Sequence, residues 1–429
     1  MRTLSIRVTA RLLALPGLLA ACGAGDAVDR WSGTIETLEN GAVRVTNPKD
    51  GLWSSGDAWQ LMEDLVLGRT EGDGADVFAS ISAIEVDPSG NIYVLDRQAN
   101  ELRIFDASGR HVRSVGRSGE GPGEYSAANG LAWLADDTLV IVDQRGNRYS
   151  LLSLDGEYVR SVLRRLSFFG WVFSGGIDGE HIHEVSAAGP EDARRPVLLG
   201  TRLRGGEADL ADAVQSAAAA TESAPRFTAD TVPLPMSDAP LYESFSVRTA
   251  SAGMVMSVPF SGSPEYHLDG AGGLWHGHGS LPRLYHSTLQ GDTLTEIVFG
   301  HDPFPVAPEE VAEWEAQPGI ERFRSLGGKL DMSRIPTAKP YFDGIATDAR
   351  GNIWLTVPAA PPTPTFAVFD PDGRYLGQLQ VSGMERELYV SHVVRNDRLY
   401  FVGRDELDVQ RVYVYRIERA PAQANVMGR

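Results

Sequence analysis

Histidine is the side chain best suited to chemistry near neutral pH, and in this chain it is unevenly spread. Of nine histidines in 429 residues, four fall close together: His267, His276, His278 and His286. His276 and His278 stand two apart, so on a strand both point to the same face, and imidazoles at that spacing can share a zinc or copper ion. His181 and His183 repeat the spacing without an obvious third ligand. No carboxylate triad accompanies the pair at 276 and 278. His267, His276 and His278 are therefore candidate metal ligands against the alternative of ordinary polar strand positions, and no cofactor is assigned.

Two carboxylates form a second pattern. Asp96 and Asp143 each precede an asparagine by four residues, Asn100 and Asn147. They could ring a ligand, or they could hold turns by side-chain-to-backbone hydrogen bonds. The second reading fits better, because the pair recurs with a repeat. The sequence contains no nucleophile elbow, phosphate-binding glycine loop, paired cysteines or catalytic triad arguable from spacing, so catalytic and ligand-binding residues are unassigned.

The repeat itself comes from self-similarity. Ile84 to Val115 matches Leu131 to Val162 at an offset of 47, and Val112-Arg113-Ser114-Val115 reappears as Val159-Arg160-Ser161-Val162. A third copy lies far along the chain. Ile84-Glu85-Val86-Asp87-Pro88-Ser89-Gly90-Asn91-Ile92-Tyr93 corresponds to Ile345-Ala346-Thr347-Asp348-Ala349-Arg350-Gly351-Asn352-Ile353-Trp354. Each unit reads as four short strands punctuated by Asp-x-x-Gly turns, in which Asp accepts local backbone donors and Gly takes positive φ. A four-stranded meander of roughly 35–50 residues cannot bury both faces alone, so the copies must stack around an axis.

Six units can be counted: Ile81 to Val115, Leu131 to Val162, about Trp171 to Phe260, Glu265 to Phe299, Phe342 to Val381, and a last one with strands at Val393–Arg395, Leu399–Val402 and Val412–Ile417. The third is interrupted by an Ala-rich stretch, Gly205 to Glu222. The last has one strand too few, and Trp59 to Leu67 can supply it, removing an exposed pairing edge. Asn40-Gly41 marks a short hairpin ahead of that strand. Between units four and five, residues 301–339 form an insertion. Pro308-Glu309-Glu310 suits a helix start, and a second short helix is expected after Pro318-Gly319, up to Leu326. Such an insertion lies over one mouth of the ring, as a lid or as a plug.

The pattern I-x-V-D-P-x-G-N-I-Y-V-x-D…N-x-L-x-I-F-D-x-x-G, followed by Gly119-Glu120-Gly121-Pro122-Gly123-Glu124-Tyr125, resembles the NHL repeat. The whole chain is similar to exported bacterial six-bladed β-propeller lipoproteins. The resemblance implies an all-β fold, a six-bladed propeller of four-stranded antiparallel blades. It implies no single activity, since such propellers include binding modules, lyases and lactonase-like enzymes.

The N-terminus points to export. Arg2, Arg7 and Arg11 precede the short apolar run Leu12 to Ala20, too short to span a bilayer as a helix. Leu19-Ala20-Ala21-Cys22 resembles the bacterial lipobox, which accounts for the only cysteine as a lipidation site; an ordinary signal peptide with a chance cysteine is the alternative. Gly23 in the next position, rather than Asp, implies the outer membrane within that family. The expected organisation is a signal peptide at 1–21, a flexible tether at 22–33, a hairpin and approach at 34–56, the propeller at 57–418 and a tail at 419–429.

The formal charge is −18, from 39 basic and 57 acidic side chains, and it becomes −21 once three arginines leave with residues 1–21. A surface this acidic repels phosphate backbones, so no nucleic-acid partner is expected. The expected function is a membrane-tethered binding or scaffold module, a monomer, taking an envelope protein, peptide or small ligand. The loops Gly68 to Phe78, Gly116 to Tyr125 and His301 to Lys339 should share the binding rim. The alternatives are a metal-dependent lyase or lactonase-like hydrolase with its site in the propeller channel, and a purely structural envelope role.

Overall fold

The computed structural model describes residues 31–53, 58–135, 137–164, 172–174, 180–188, 195–203, 231–233, 243–249, 252–269, 272–359, 363–387 and 390–419. The expected signal peptide, Cys22, the Ala-rich stretch and nearly all of the tail lie outside them.

The elements are almost all strands. β1 (Thr34–Thr37) and β2 (Val43–Thr46) form the hairpin at Asn40-Gly41, and β3 (Gln60–Leu67) follows. The first four-stranded sheet is β4 (Ile81–Val86), β5 (Ile92–Asp96), β6 (Glu101–Phe105) and β7 (His111–Val115). The second is β8 (Ala128–Ala135), β9 (Thr138–Asp143), β10 (Arg148–Ser153) and β11 (Tyr158–Leu163). Next come β12 (Val172–Ser174), β13 (His181–Ala188), β14 (Arg195–Arg202) and β15 (Thr231–Pro233). A separate hairpin follows, β16 (Ser244–Arg248) and β17 (Gly253–Ser257). The fourth sheet is β18 (Pro264–Leu268), β19 (Gly273–His278), β20 (Arg283–Thr288) and β21 (Thr293–Val298). Two short helices, α1 (Pro308–Glu315) and α2 (Pro318–Ser325), lead to the fifth sheet: β22 (Gly344–Thr347), β23 (Ile353–Thr356), β24 (Thr365–Phe369) and β25 (Tyr375–Gln380). The last sheet holds β26 (Glu385–Arg386), β27 (Val393–Arg395), β28 (Arg398–Arg404), β29 (Gln410–Glu418) and, paired antiparallel to β29, β3.

The turns are made as their residues require. Gly90 and Gly351, which close the Asp-x-x-Gly turns of sheets one and five, have φ of +87° and +83°. A side chain there would be strained. Asp87 and Asp348 accept the amides of Asn91 and Asn352 at 2.8 and 2.9 Å.

An apolar layer lies between every pair of consecutive sheets. Ile104 and Leu95 meet Leu131 and Ile141; Val140 and Leu151 meet Ile182; Leu198 meets Leu268; Leu284 meets Phe369; Phe366 meets Phe401. The last sheet packs in turn on the first, through Val402 and Val414 against Ile84 and Val94. Each fully buried phenylalanine contributes roughly 1.5–3 kcal/mol. The first strands of the sheets are neighbours in the order β4, β8, β12, β18, β22, β27 and back to β4.

One feature differs from the sequence reading and another goes beyond it. The third unit does not run as one sheet to Phe260. Among the described residues its sheet runs to Pro233, and β16–β17 stands apart because its apolar side packs on the helices: Phe245, Val258 and the fully buried Phe323 form one cluster with Trp314 and Met256. The N-terminal hairpin expected at Asn40-Gly41 is docked on the fourth sheet, where β2 pairs in parallel with β21, Val43 to Thr46 against Thr295 to Val298. The chain then crosses the fifth sheet, where the Leu52 and Trp53 amides donate to the carbonyls of Tyr375 and Leu376. Asn47 fastens this passage, giving its amide to Gly373 O at 3.0 Å and accepting the Tyr375 amide at 2.6 Å.

Candidate functional site

Asp96 and Asp143 are fully buried and tie backbone together. The Asp96 carboxylate accepts the amides of Ala79 and Ser80, in the loop before β4, and those of Gln98 and Ala99 in the following turn. Asp143 does the same for Ser126, Ala127 and Gly146. Asn100 and Asn147 take positive φ, 55° and 49°, at the end of those turns. Arginines from the third strands complete the arrangement: Arg103 donates to the carbonyls of Ala75 and Val77, and Arg148 to those of Glu120 and Glu124. These carboxylates therefore pin the loops that join one sheet to the next.

The histidines are divided between two faces of the fourth sheet. Direct cross-strand partners share a face, and the pairs are Tyr266 with His276 and His267 with Trp275. His276 is thus on the face opposite His267. It is buried, its Nε2 lies 2.9 Å from Ser287 Oγ, and its ring stacks with Tyr266 and Tyr285. His278 is also buried and meets Ser280 Oγ through Nδ1 at 2.8 Å, while His286 pairs with Asp269 at 2.8 Å and stacks on Trp275. The three candidate ligands do not converge, and no group of three or more metal-ligating side chains exists among the described residues.

His267 instead belongs to a polar cluster at the inner strand ends. Its Nε2 is 3.0 Å from Thr347 Oγ1 on β22. Two residues earlier, Glu265 accepts the Ser263 hydroxyl at 2.6 Å. Asp343, immediately before β22, takes Arg386 Nη2 on Oδ2, and its amide donates to Thr356 O at 2.9 Å. The Thr356 hydroxyl in turn meets His392 Nδ1 at 3.1 Å. Three sheets or their junctions thus supply one group of side chains. Asp343 Oδ1 and His392 Nε2 are buried without a protein partner.

Burial dominates the electrostatics. Glu265 keeps a little solvent access, yet protein surrounds it nearly completely, and desolvation pushes its carboxyl up to about 7, with nearby Asp343 adding to the rise and Arg386 opposing it. Desolvation likewise raises Asp343 against the pull of Arg386. It lowers His267 to about 4 and His392 to about 3, so both imidazoles are neutral at pH 7. Half-buried Glu85 on β4 is likewise pushed up to about 7 by desolvation, with Arg395 pulling the other way. Groups poised in this way can bind polar ligands or exchange protons.

Nothing in the sequence reading singled out Glu265, Asp343, Arg386 or His392. One signal was available: by strand pairing Glu265 occupies the position of Ala83 in sheet one and Gly344 in sheet five, so it is the charged member of an otherwise small-residue position.

The insertion enters this same end of the sheets, since it leads directly to Asp343. α1 begins at Pro308, with the Ala307 amide donating to Glu310 at 3.0 Å. Lys339, almost fully buried, bridges Glu310 at 2.6 Å and the carbonyl of Ala359 in the connection between β23 and β24. Arg334 joins the insertion to Ser244 O and Glu243 beside the separate hairpin.

Residues 75–168 match a family model described as a 6-bladed beta-propeller. Among solved structures, the chain is similar to a member of the DUF4221 family from Bacteroides vulgatus (12% identity, 86% of this chain and 100% of that one, TM-score 0.44). It is also similar to a Bacteroides fragilis protein described as exported (11%, 88% and 100%, TM-score 0.45) and to virginiamycin B lyase from Staphylococcus aureus (11%, 84% and 99%, TM-score 0.41). No curated protein is significantly similar to the chain. The matched segment and the repeated four-stranded sheets give the chain a β-propeller fold, which by itself carries no activity.

Proposed function

We propose that the chain is a six-bladed β-propeller of NHL type, sealed into a ring by β3, and that it is a binding module for a polar ligand, peptide or protein in the cell envelope. The cyclic succession of first strands and the apolar layer between the last and first sheets support the ring. The binding surface is the mouth at which the loops 68–78, 116–125 and 301–339 arrive. The observation that carries this reading is the polar cluster there, in which Asp343 Oδ1 and His392 Nε2 are both buried without a protein partner beside the desolvated Glu265 and His267. Buried polar atoms of this kind cost about 1–3 kcal/mol each unless something pairs with them, so a ligand that does so gains that much. A lipid on Cys22 would tether the ring to the outer membrane through about ten residues of chain.

Deleting Pro308 to Leu326 from the exported protein tests the binding role. The expected result is a folded propeller that no longer retains partners from envelope extracts. Full retention of those partners by the deletion variant would contradict the proposal. The metal-dependent lyase or lactonase-like alternative loses its third candidate ligand, because His267 lies on the face opposite His276 and His278, and no group of three metal-ligating side chains is found among the described residues.

A further inference from the structure

We propose that the mouth takes its ligand through an ammonium group, seated between the carboxyls of Glu265 and Asp343. The inference rests on the mouth being the ligand site. It follows from matching charge and hydrogen-bond capacity.

The cluster holds two carboxyl groups and one guanidinium. Arg386 is committed to Asp343 Oδ2, and Ser263 supplies a single hydroxyl to Glu265. With both acids ionised, the group carries one uncompensated negative charge. The remaining polar neighbours are the neutral His267 and His392 and the hydroxyls of Thr347 and Thr356. Asp343 Oδ1 is an acceptor with no donor. His392 is 8% exposed, its Nδ1 is held at Thr356, its nearest charged and titratable neighbours are Arg386 and His267, and its Nε2 has no partner. Once Glu265 is ionised the site therefore lacks a positive charge and a donor for Asp343 Oδ1, and His392 Nε2 accepts a further donor in the tautomer whose Nδ1–H is given to Thr356.

An ammonium group brings one charge and three N–H donors in a compact head. An anion would sit against two carboxyls, and like charges at such range cost several kcal/mol when poorly solvated. A neutral alcohol brings one donor and leaves the charge uncompensated. A divalent metal needs three or more converging ligands, and among the described residues no such group is found. Burial of Glu265 fits the same picture: without a cation its carboxyl holds a proton near neutral pH, and an arriving ammonium takes that proton's place.

The test uses the full mature chain and three probes of equal size: propylammonium, propan-1-ol and propionate, each at the same millimolar concentration. Ligand-observed NMR and the thermal midpoint report binding. Propylammonium alone should bind and raise the midpoint. Glu265→Gln, which keeps the hydrogen bond from Ser263, and Asp343→Asn should each weaken it by at least about tenfold, while His276→Ala on the opposite face should leave it unchanged. If propan-1-ol or propionate binds as well and shows the same dependence on Glu265 and Asp343, the ammonium class is wrong and the mouth survives as a site. If no probe binds, or binding ignores both substitutions, the mouth itself is not the ligand site. Should Asp343→Asn fail to fold, Glu265→Gln alone decides between these outcomes.

Discussion

The carboxyl of Glu265 and the imidazoles of His267 and His392 pull stability in opposite directions as pH changes. Glu265 rises from 4.5 to about 7 on folding, so the folded chain holds its proton more tightly than the unfolded chain does. Its contribution is complete below pH 4.5 and is lost as pH rises through about 7. The histidines fall from 6.5 to about 4 and about 3, so their contribution is complete above pH 6.5 and is lost as pH falls through those values. Between roughly pH 4.5 and 6.5 the two effects oppose each other. Glu265→Gln removes only the first. Its chemical-denaturation midpoint should equal that of the parent near pH 4.5 and exceed it at pH 8, with Glu85 leaving some residual slope. An unchanged difference across that range would show that Glu265 is not the buried acid the geometry makes it. At this scale the sequence was legible where chemistry repeats. Asp96 and Asp143 recur with their turns and could be read as backbone ties. Glu265, Asp343, Arg386 and His392 come from different units and share no spacing, so only the fold brings them together.

The separate hairpin and the two helices behave as one element. Phe323 of α2 is fully buried, against Phe245 and Val258 beside it, with Trp314 of α1 closing the cluster. This small core is distinct from the layers between sheets. Phe323→Ala should cost about 3–5 kcal/mol, and the loss should fall on the module rather than on the ring. Hydrogen exchange is the measurement: amides in 244–257 and 308–325 should exchange faster while 353–356 and 366–369 stay protected. Uniform loss of protection would mean that the module and ring unfold together. The helices were readable because Pro308, Glu309 and Glu310 mark a first turn in any context. The hairpin was not, because its alternating pattern is that of any blade strand, and only its packing partner distinguishes it. The parallel docking of β2 on β21 was hidden for a related reason: it joins segments some 250 residues apart and leaves no local periodicity.

At the scale of the whole molecule, the N-terminal segment works as a strap. It pairs with the outer strand of the fourth sheet, crosses the fifth and becomes the outer strand of the last. The proposed ligand site depends on this, because Arg386 and His392 belong to the last sheet while Glu265 belongs to the fourth. Loss of β3 from the last sheet would expose the edge of β29 and, in the proposed ring, loosen one side of the mouth. The sequence suggested such a strand by counting, since the last unit lacked one. Its register, Leu67 against Val412 and Gln60 against Glu418, needed the structure.

Met62 and Arg416 are paired across this seam, and both side chains are substantially exposed. The chain has a single native cysteine, Cys22, so a double-cysteine variant at these two positions can be followed without interference once Cys22 is replaced. Oxidation of folded Met62→Cys/Arg416→Cys should give near-complete disulfide formation within one chain, seen as a faster-migrating band that reverts on reduction. If both thiols stay free and reactive while the protein remains folded, β3 does not lie on β29, and neither the closed ring nor the mouth it assembles can stand.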